Sequence, residues 1–340
     1  MAVVGKSRPV CWVVTDGRAG IKTQALGLAE ALARLRPLDI VDKRISIRAP
    51  FRSLPRVFWG NPFSRLDADG ALLRAPYPDL WIGCGRLSVP LSMAMRRRAP
   101  ATFTVQLQAP RAPLDRFDLV ISPAHDHVRG GNVIETLGAL NRLTDAALDA
   151  QGKRLAPELT HIPSPRIAVL VGGPVKGAKL DAHSADSVID ALTTLASAGF
   201  GLLITPSRRT PVTLKEKLDQ FAAAQASAFL WRGQPIAGLD NPYQALLGLS
   251  DLVLVTSDSV NMVSEAASTG KSLLLLKWPA PKKFDAFYNA LMERGLAQWF
   301  SPPYAVDAFK AATGANPDPL NETRRVAQLV LDRWDGRKAG

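Results

Sequence analysis

The chain of 340 residues holds only two cysteines and four histidines. So few thiols exclude a disulfide framework and a cysteine-held metal, and Cys11 in an apolar run and Cys84 in a glycine turn suit a reducing compartment. No apolar run approaches the roughly 18 to 20 residues that cross a bilayer, and the start MAVVGKSRPVCWVV has too short an apolar stretch for a secretory signal. The expected location is the cytoplasm, with the inner face of the membrane as the one surface the chain could visit. Glycine is plentiful, yet neither GxGxxG nor GxxxxGK followed by Ser or Thr occurs, which sets aside a dinucleotide fingerprint and a Walker loop. No D-x-D pair stands in a fitting loop, so neither a metal nor a cofactor is expected. Carboxylates are short as well: 42 Lys+Arg face 30 Asp+Glu, and residues 1–100 hold 17 basic against 7 acidic side chains. That asymmetry calls for an anionic partner, whether nucleic acid, acidic lipid or a phosphorylated substrate. Without an RNA-binding signature, zinc-finger spacing or basic helix, no nucleic-acid partner is expected.

What is present is an ordinary globular composition, 47% hydrophobic and 21% charged, in a chain long enough for two cores. Val10–Val14 reads as a buried strand, Thr15–Gly20 as a turn and Lys22–Leu35 as an amphipathic helix. The corner is either a tight turn or, with Asp16, Arg18, Lys22 and Gln24 beside it, a ligand site. Asp39–Ile47 gives a second strand. After it Arg44, Arg48, Arg52 and Arg56 alternate with Phe51, Val57, Phe58, Trp59 and Phe63, while Pro50, Pro55 and Pro62 forbid one continuous helix. This segment is either a cover over the first core or a basic-aromatic surface for lipid phosphates. Asp79–Gly83, Ala101–Leu107 and Asp118–Ile121 are further strands. The loop after the last carries His125, Asp126 and His127, which reads as solvated loop, metal contact or catalytic group; no third or fourth metal ligand stands near.

Ala156–Pro165, with three prolines, reads as the linker between a first domain, 1–155, and a second, 166–318, with a terminal helix, 319–340, packing back on the first. The second domain opens with strand Arg166–Val171 and the loop Gly172-Gly173-Pro174-Val175-Lys176, able to approach phosphate. Strand Gly201–Thr205 ends in Ser207-Arg208-Arg209, where arginines suit a diphosphate. Then Leu252–Val255 runs into Thr256-Ser257-Asp258-Ser259, a short helix carries Asn261 and Glu265 to Gly270, and strand Ser272–Leu276 follows. Helix starts at the carboxyl ends of parallel strands favour anions, and a carboxylate at Glu265 can accept the hydroxyls of a ribose.

Strand, Ser/Thr-rich turn, Glu-bearing helix, glycine and strand, in the second of two α/β domains, resembles the GT-B architecture of nucleotide-sugar glycosyltransferases. The resemblance implies two Rossmann-like domains facing each other across a cleft. It implies a ribose role for Glu265, a diphosphate flanked by Ser257, Asp258, Ser259 and Asn261, and Gly172, Gly173 and Arg208 on the facing loops. Over nearly the whole chain, WVVTDGRAGIKTQALGLAEAL, GCGRLSVPLSMAMRR, TVQLQAPRAPLDRFDLVISPAHD, GNVIETLGALNRL and TSDSVNMVSEAASTGKSLLLL are similar to bacterial members of the mitochondrial-fission protein family first named for elongated mitochondria in plants. That resemblance implies a non-catalytic, membrane-associated adaptor, which in plants recruits a dynamin-related GTPase. The expected function is metal-independent transfer of a sugar from a nucleotide-sugar donor to an envelope or lipid-linked acceptor, with Asp16, His125 or Asp126 as base. The adaptor is the alternative. An epimerase of the same architecture would require a carboxylate-rich cleft, which the sequence does not offer.

Overall fold

The computed structural model describes residues 8–67, 73–175, 182–302 and 317–339. The chain divides into two compact units, Met1–Arg142 with Asn321–Gly340, and Leu143–Leu320.

The first unit begins with β1 (Val10–Thr15), α1 (Ala19–Leu35) and β2 (Asp39–Arg44). It continues with β3 (Leu80–Cys84), α2 (Val89–Arg98), β4 (Phe103–Leu107), β5 (Leu119–Pro123) and β6 (Val133–Thr136). These strands form one parallel sheet in the order β2-β1-β3-β4-β5-β6. Every residue of β3 and β4 is buried, because helices cover both faces of a parallel sheet and a continuous apolar run is what such a strand requires. The second strand is shorter than its apolar pattern suggests: it stops at Arg44, and Ile45 and Ile47 turn into a separate cluster with Trp12, Trp59 and Trp81. The strand Val133–Thr136 escapes a periodicity reading because four residues at a sheet edge carry too little alternation to register.

The second unit comprises α3 (Asp145–Leu155), β7 (Arg166–Val171), α4 (Ala182–Ser197), β8 (Gly201–Pro206), α5 (Val212–Ala224) and β9 (Ala228–Leu230). It continues through α6 (Tyr243–Leu249), β10 (Leu252–Thr256), α7 (Val260–Ala267), β11 (Ser272–Leu276), α8 (Asp285–Glu293) and β12 (Ala297–Phe300). Its parallel sheet runs β12-β11-β10-β7-β8-β9, the doubly wound order in which the winding reverses between β7 and β10. Residues Trp299 and Phe300 lie in the edge strand β12 paired with β11.

The division between units falls at Arg142/Leu143, ahead of the proline-rich stretch read as the linker. The helix α3, expected with the first domain, packs on α6, with Gly248 letting the two backbones close: a Cβ there would lie 2.3 Å from the Leu148 carbonyl oxygen. Leu159 and Ile162, inside the supposed linker, are buried with Leu203 and Leu246. Polar and proline-rich composition therefore marks a surface turn of the second unit, not a joint. The terminal helix α9 (Glu322–Ala339) belongs to the first unit, where Val326, Ala327, Val330 and Trp334 join the core of α1 and β4. Its first turn is tied down by Glu322, which accepts the Leu137 N–H at 2.9 Å, and by Thr323, whose hydroxyl accepts the Asn141 N–H at 3.0 Å.

Candidate functional site

At the point where the second sheet reverses, β7 and β10 lie side by side and release two loops, Gly172-Gly173-Pro174 and Thr256-Ser257-Asp258-Ser259. Such a point leaves a crevice at the carboxyl ends of the strands. Here Asp258 holds the corner together. Its side chain is fully buried; Oδ2 accepts the Gly173 N–H at 3.2 Å and the Arg209 guanidinium at 2.8 Å, and Oδ1 accepts the Thr256 hydroxyl at 2.7 Å. The Thr256 hydroxyl in turn accepts the Gly172 N–H at 2.7 Å. A Cβ on Gly172 would stand 1.9 Å from Asp258 Oδ1, and one on Gly173 would stand 2.1 Å from the Arg209 carbonyl oxygen, so both positions require glycine.

Three of the residues expected at the site already have partners within the fold. The N–H groups of Gly172 and Gly173, expected to meet a diphosphate, are donated to Thr256 and Asp258. The carboxylate of Asp258, expected beside the diphosphate, is an internal anion, and a second anion against it would be repelled. The tandem arginines also separate in role. Arg209 is anchored to Asp258 and to the carbonyls of Gly173 and Pro174, whereas Arg208 is exposed and makes no ion pair among the described residues. Ser207 braces the same loop: its N–H reaches the Val171 carbonyl at 2.7 Å, and its hydroxyl meets that of Thr210. Ser257 is buried, exchanging hydrogen bonds with the backbone of Trp278, and its carbonyl accepts from the Tyr288 hydroxyl. Ser259 caps α7 through the Met262 N–H at 3.4 Å, placing Asn261 in the first turn. Lys176 lies outside the described residues.

Glu265 projects from α7 against α6, where the Tyr243 hydroxyl donates to its Oε2 at 2.8 Å. Burial pushes its carboxyl from 4.5 up to about 7, only partly opposed by that hydrogen bond. The native state therefore binds a proton between pH 4.5 and 7 that the unfolded chain releases, and stability falls as pH rises across that window. Glu265→Gln is expected to unfold at a higher temperature than the parent above pH 7, the gain shrinking towards pH 4.5. Thermal melts at several pH values read this, and a gain that does not change with pH counts against it.

In the first unit, the three residues expected as base are not brought together. Asp16 follows β1 and pairs with Arg18 at 2.8 Å, while His125 and Asp126 sit in a short 3₁₀ turn after β5. Two strands intervene, which sets the two strand exits about 14 Å apart at the usual spacing of parallel strands. His125 is buried, and His127 takes the left-handed conformation at φ 52°. A single small group can thus reach Asp16 or the His125-Asp126 turn, not both.

Sequence reasoning missed Tyr243 and the bracing roles of Thr256, Arg209 and Thr210. Only the Asn-Pro start of α6 pointed to Tyr243, since its partner lies 22 residues on. The second arginine of Arg208-Arg209 gave no signal of its own, because which of two neighbours turns inward depends on the loop.

A family description, Mitochondrial fission ELM1, matches residues 19–334. The chain belongs to that family. The mitochondrial fission protein ELM1 of Arabidopsis thaliana is 30% identical over 283 residues, covering 74% of this chain and 63% of the relative, so the chain spans less than two thirds of that family member. An uncharacterized protein of Rickettsia prowazekii is 25% identical over 94% of this chain and 97% of its own length. Among solved structures, UDP-GlcNAc 2-epimerase of Neisseria meningitidis bound to UDP-GlcNAc superimposes with a TM-score of 0.61 at 14% identity, over 95% of this chain and 98% of that one. The UDP-GlcNAc 2-epimerase of Methanocaldococcus jannaschii gives 0.57 at 11% identity, over 95% and 99%. At such identities the likeness is one of fold. This ELM1-family chain has the GT-B-type α/β fold, two six-stranded parallel sheets with their helices.

Proposed function

We propose that the protein is a nucleotide-sugar-dependent glycosyltransferase that works without a metal. The donor binds on the second unit, its diphosphate over the start of α7 near Ser259 and Asn261, with Arg208 and Lys176 as cations. Its ribose lies against Glu265. The observation that carries this reading is Glu265 itself: a largely buried carboxyl on the helix that leaves the reversal point, with one oxygen held by Tyr243 and so oriented. Cations and helix N–H groups offset the charge that develops on the leaving diphosphate. The acceptor, an envelope or lipid-linked hydroxyl, meets the carboxyl edge of the first sheet, where Asp16, His125 or Asp126 takes its proton.

Titration calorimetry against UDP-, GDP-, CMP- and ADP-sugars tests the donor site. Binding of one of them is expected, weakened at least about tenfold by Glu265→Ala, since hydrogen bonds to a charged group are worth about 1.5–3 kcal/mol. Failure of every nucleotide to bind overturns the reading. The second reading is a non-catalytic, membrane-associated adaptor with a dynamin-like partner. It is favoured by the glycine loop, whose N–H groups Asp258 and Thr256 already occupy.

A further inference from the structure

The basic-aromatic segment of the first unit resolves into a buried base and an exposed tip. Among the described residues, five large apolar side chains are exposed, and two of them are neighbours: Val57 at 77% and Phe58 at 63%. They stand on the 3₁₀ turn Arg56–Phe58. The tip is not exposed through looseness. Trp59, next in the chain, is 2% exposed within the cluster of Trp12, Trp81 and Leu91. The Arg65 side chain donates to the Trp59 carbonyl at 2.8 Å and stacks on Phe51 at 4.1 Å. Arg56 donates to the carbonyls of Pro110 and Arg111, and Arg86 to that of Arg52. Three loops at the carboxyl edge of the first sheet thus hold one turn with its two apolar side chains outward.

Charge sets what these side chains meet. Residues 43–66 contain six Lys/Arg and no Asp/Glu. Arg48 and Arg52 are exposed and make no ion pair with any described carboxylate, whereas Arg56 and Arg65 are engaged by backbone carbonyls. Two adjacent apolar side chains are far too small for a stable protein interface, which needs about 800 Å² from each partner. They suit the acyl boundary of a bilayer, with arginines at the phosphates around them. No helix among the described residues is long and apolar enough to cross a membrane.

We infer that the Val57-Phe58 tip, with Arg48 and Arg52, docks the first unit on an anionic phospholipid bilayer. This deepens the acceptor side of the proposed function by naming where a lipid-borne acceptor is met. It is tested without any nucleotide, so its failure and that of the donor site are separately visible.

The experiment is co-sedimentation of the full chain with vesicles of phosphatidylcholine alone, and of phosphatidylcholine with about one-third phosphatidylglycerol. Binding to the anionic vesicles, weakened by salt, is expected for the unaltered protein, together with little binding to the neutral ones. Arg48→Ala with Arg52→Ala should lower anionic binding about 25-fold, at roughly fivefold for each cation near the surface. Val57→Ser with Phe58→Ser should lower it about tenfold or more while leaving the circular dichroism melt in place. Three results would overturn the inference: no vesicle binding by the unaltered protein, equal binding to both lipids, or pairs of variants that bind as the parent does. Loss of a dimer by light scattering in the tip variant, with vesicle binding intact, would assign the tip to a second copy instead and equally overturn it.

Discussion

Replacing Asp258 by alanine should lower the stability of the second unit by about 3 kcal/mol or more, the cost of leaving two buried donors without their acceptor. The carboxylate is fully buried and accepts from Gly173, Arg209 and Thr256, so its loss leaves a peptide N–H and a hydroxyl in a dry corner without acceptors. Arg209 is the smaller part of the cost, because its side chain is 41% exposed and can turn to water. Asp258→Asn, which keeps one acceptor oxygen and the side-chain volume, should lose about 1–2 kcal/mol. Urea unfolding followed by circular dichroism separates the two, with a lower midpoint and an unchanged slope. A loss below about 1 kcal/mol for the alanine variant would mean that the corner is held by the close packing of Gly172 and Gly173 instead. Nucleotide binding should vanish with the alanine variant, since the loops from β7 and β10 lose their common anchor.

Trp334→Ala should destabilise the first unit by about 3–5 kcal/mol, the range for deleting a large aromatic side chain from a core. Trp334 is 1% exposed, packs on Phe103 with ring centroids 6.5 Å apart and carries the Arg36 guanidinium 5.7 Å above its ring. For a unit of this size each kcal/mol corresponds to about 2–4 °C, so its melting step should fall by roughly 10 °C. Calorimetry reads this as one step moving while the step of the second unit stays. If both steps move together, the two units do not unfold as separate cooperative bodies and the assignment of α9 to the first core is not independent.

The periodicity of apolar runs was enough for the parallel architecture, because a strand buried on both faces must be apolar throughout and its helix must show a repeat near four. Ser272–Leu276 was readable to the residue for that reason, bounded by a glycine with φ 69° at one end and Lys277-Trp278-Pro279 at the other. The placing of Glu265 on a helix at a strand exit follows from the same local logic. Boundaries set by packing were not readable: Ala156–Pro165 has the composition of a linker, but Leu159 and Ile162 find a core that only the folded unit supplies.

At the site the division is sharper. Residue types and their positions in the chain determined that Gly172-Gly173, Arg208-Arg209 and Thr256–Ser259 would each stand at a strand exit, since element type and loop length are local properties and the exits of parallel strands share one edge of a sheet. Which groups face outward was decided only by tertiary structure. A carboxylate within reach of the Gly173 N–H, a hydroxyl and a guanidinium is more stable engaged by them than hydrated at the surface, so Asp258 turned inward and took Arg209 with it. Arg208 was left exposed beside it, and no count of spacing along the chain contains that choice.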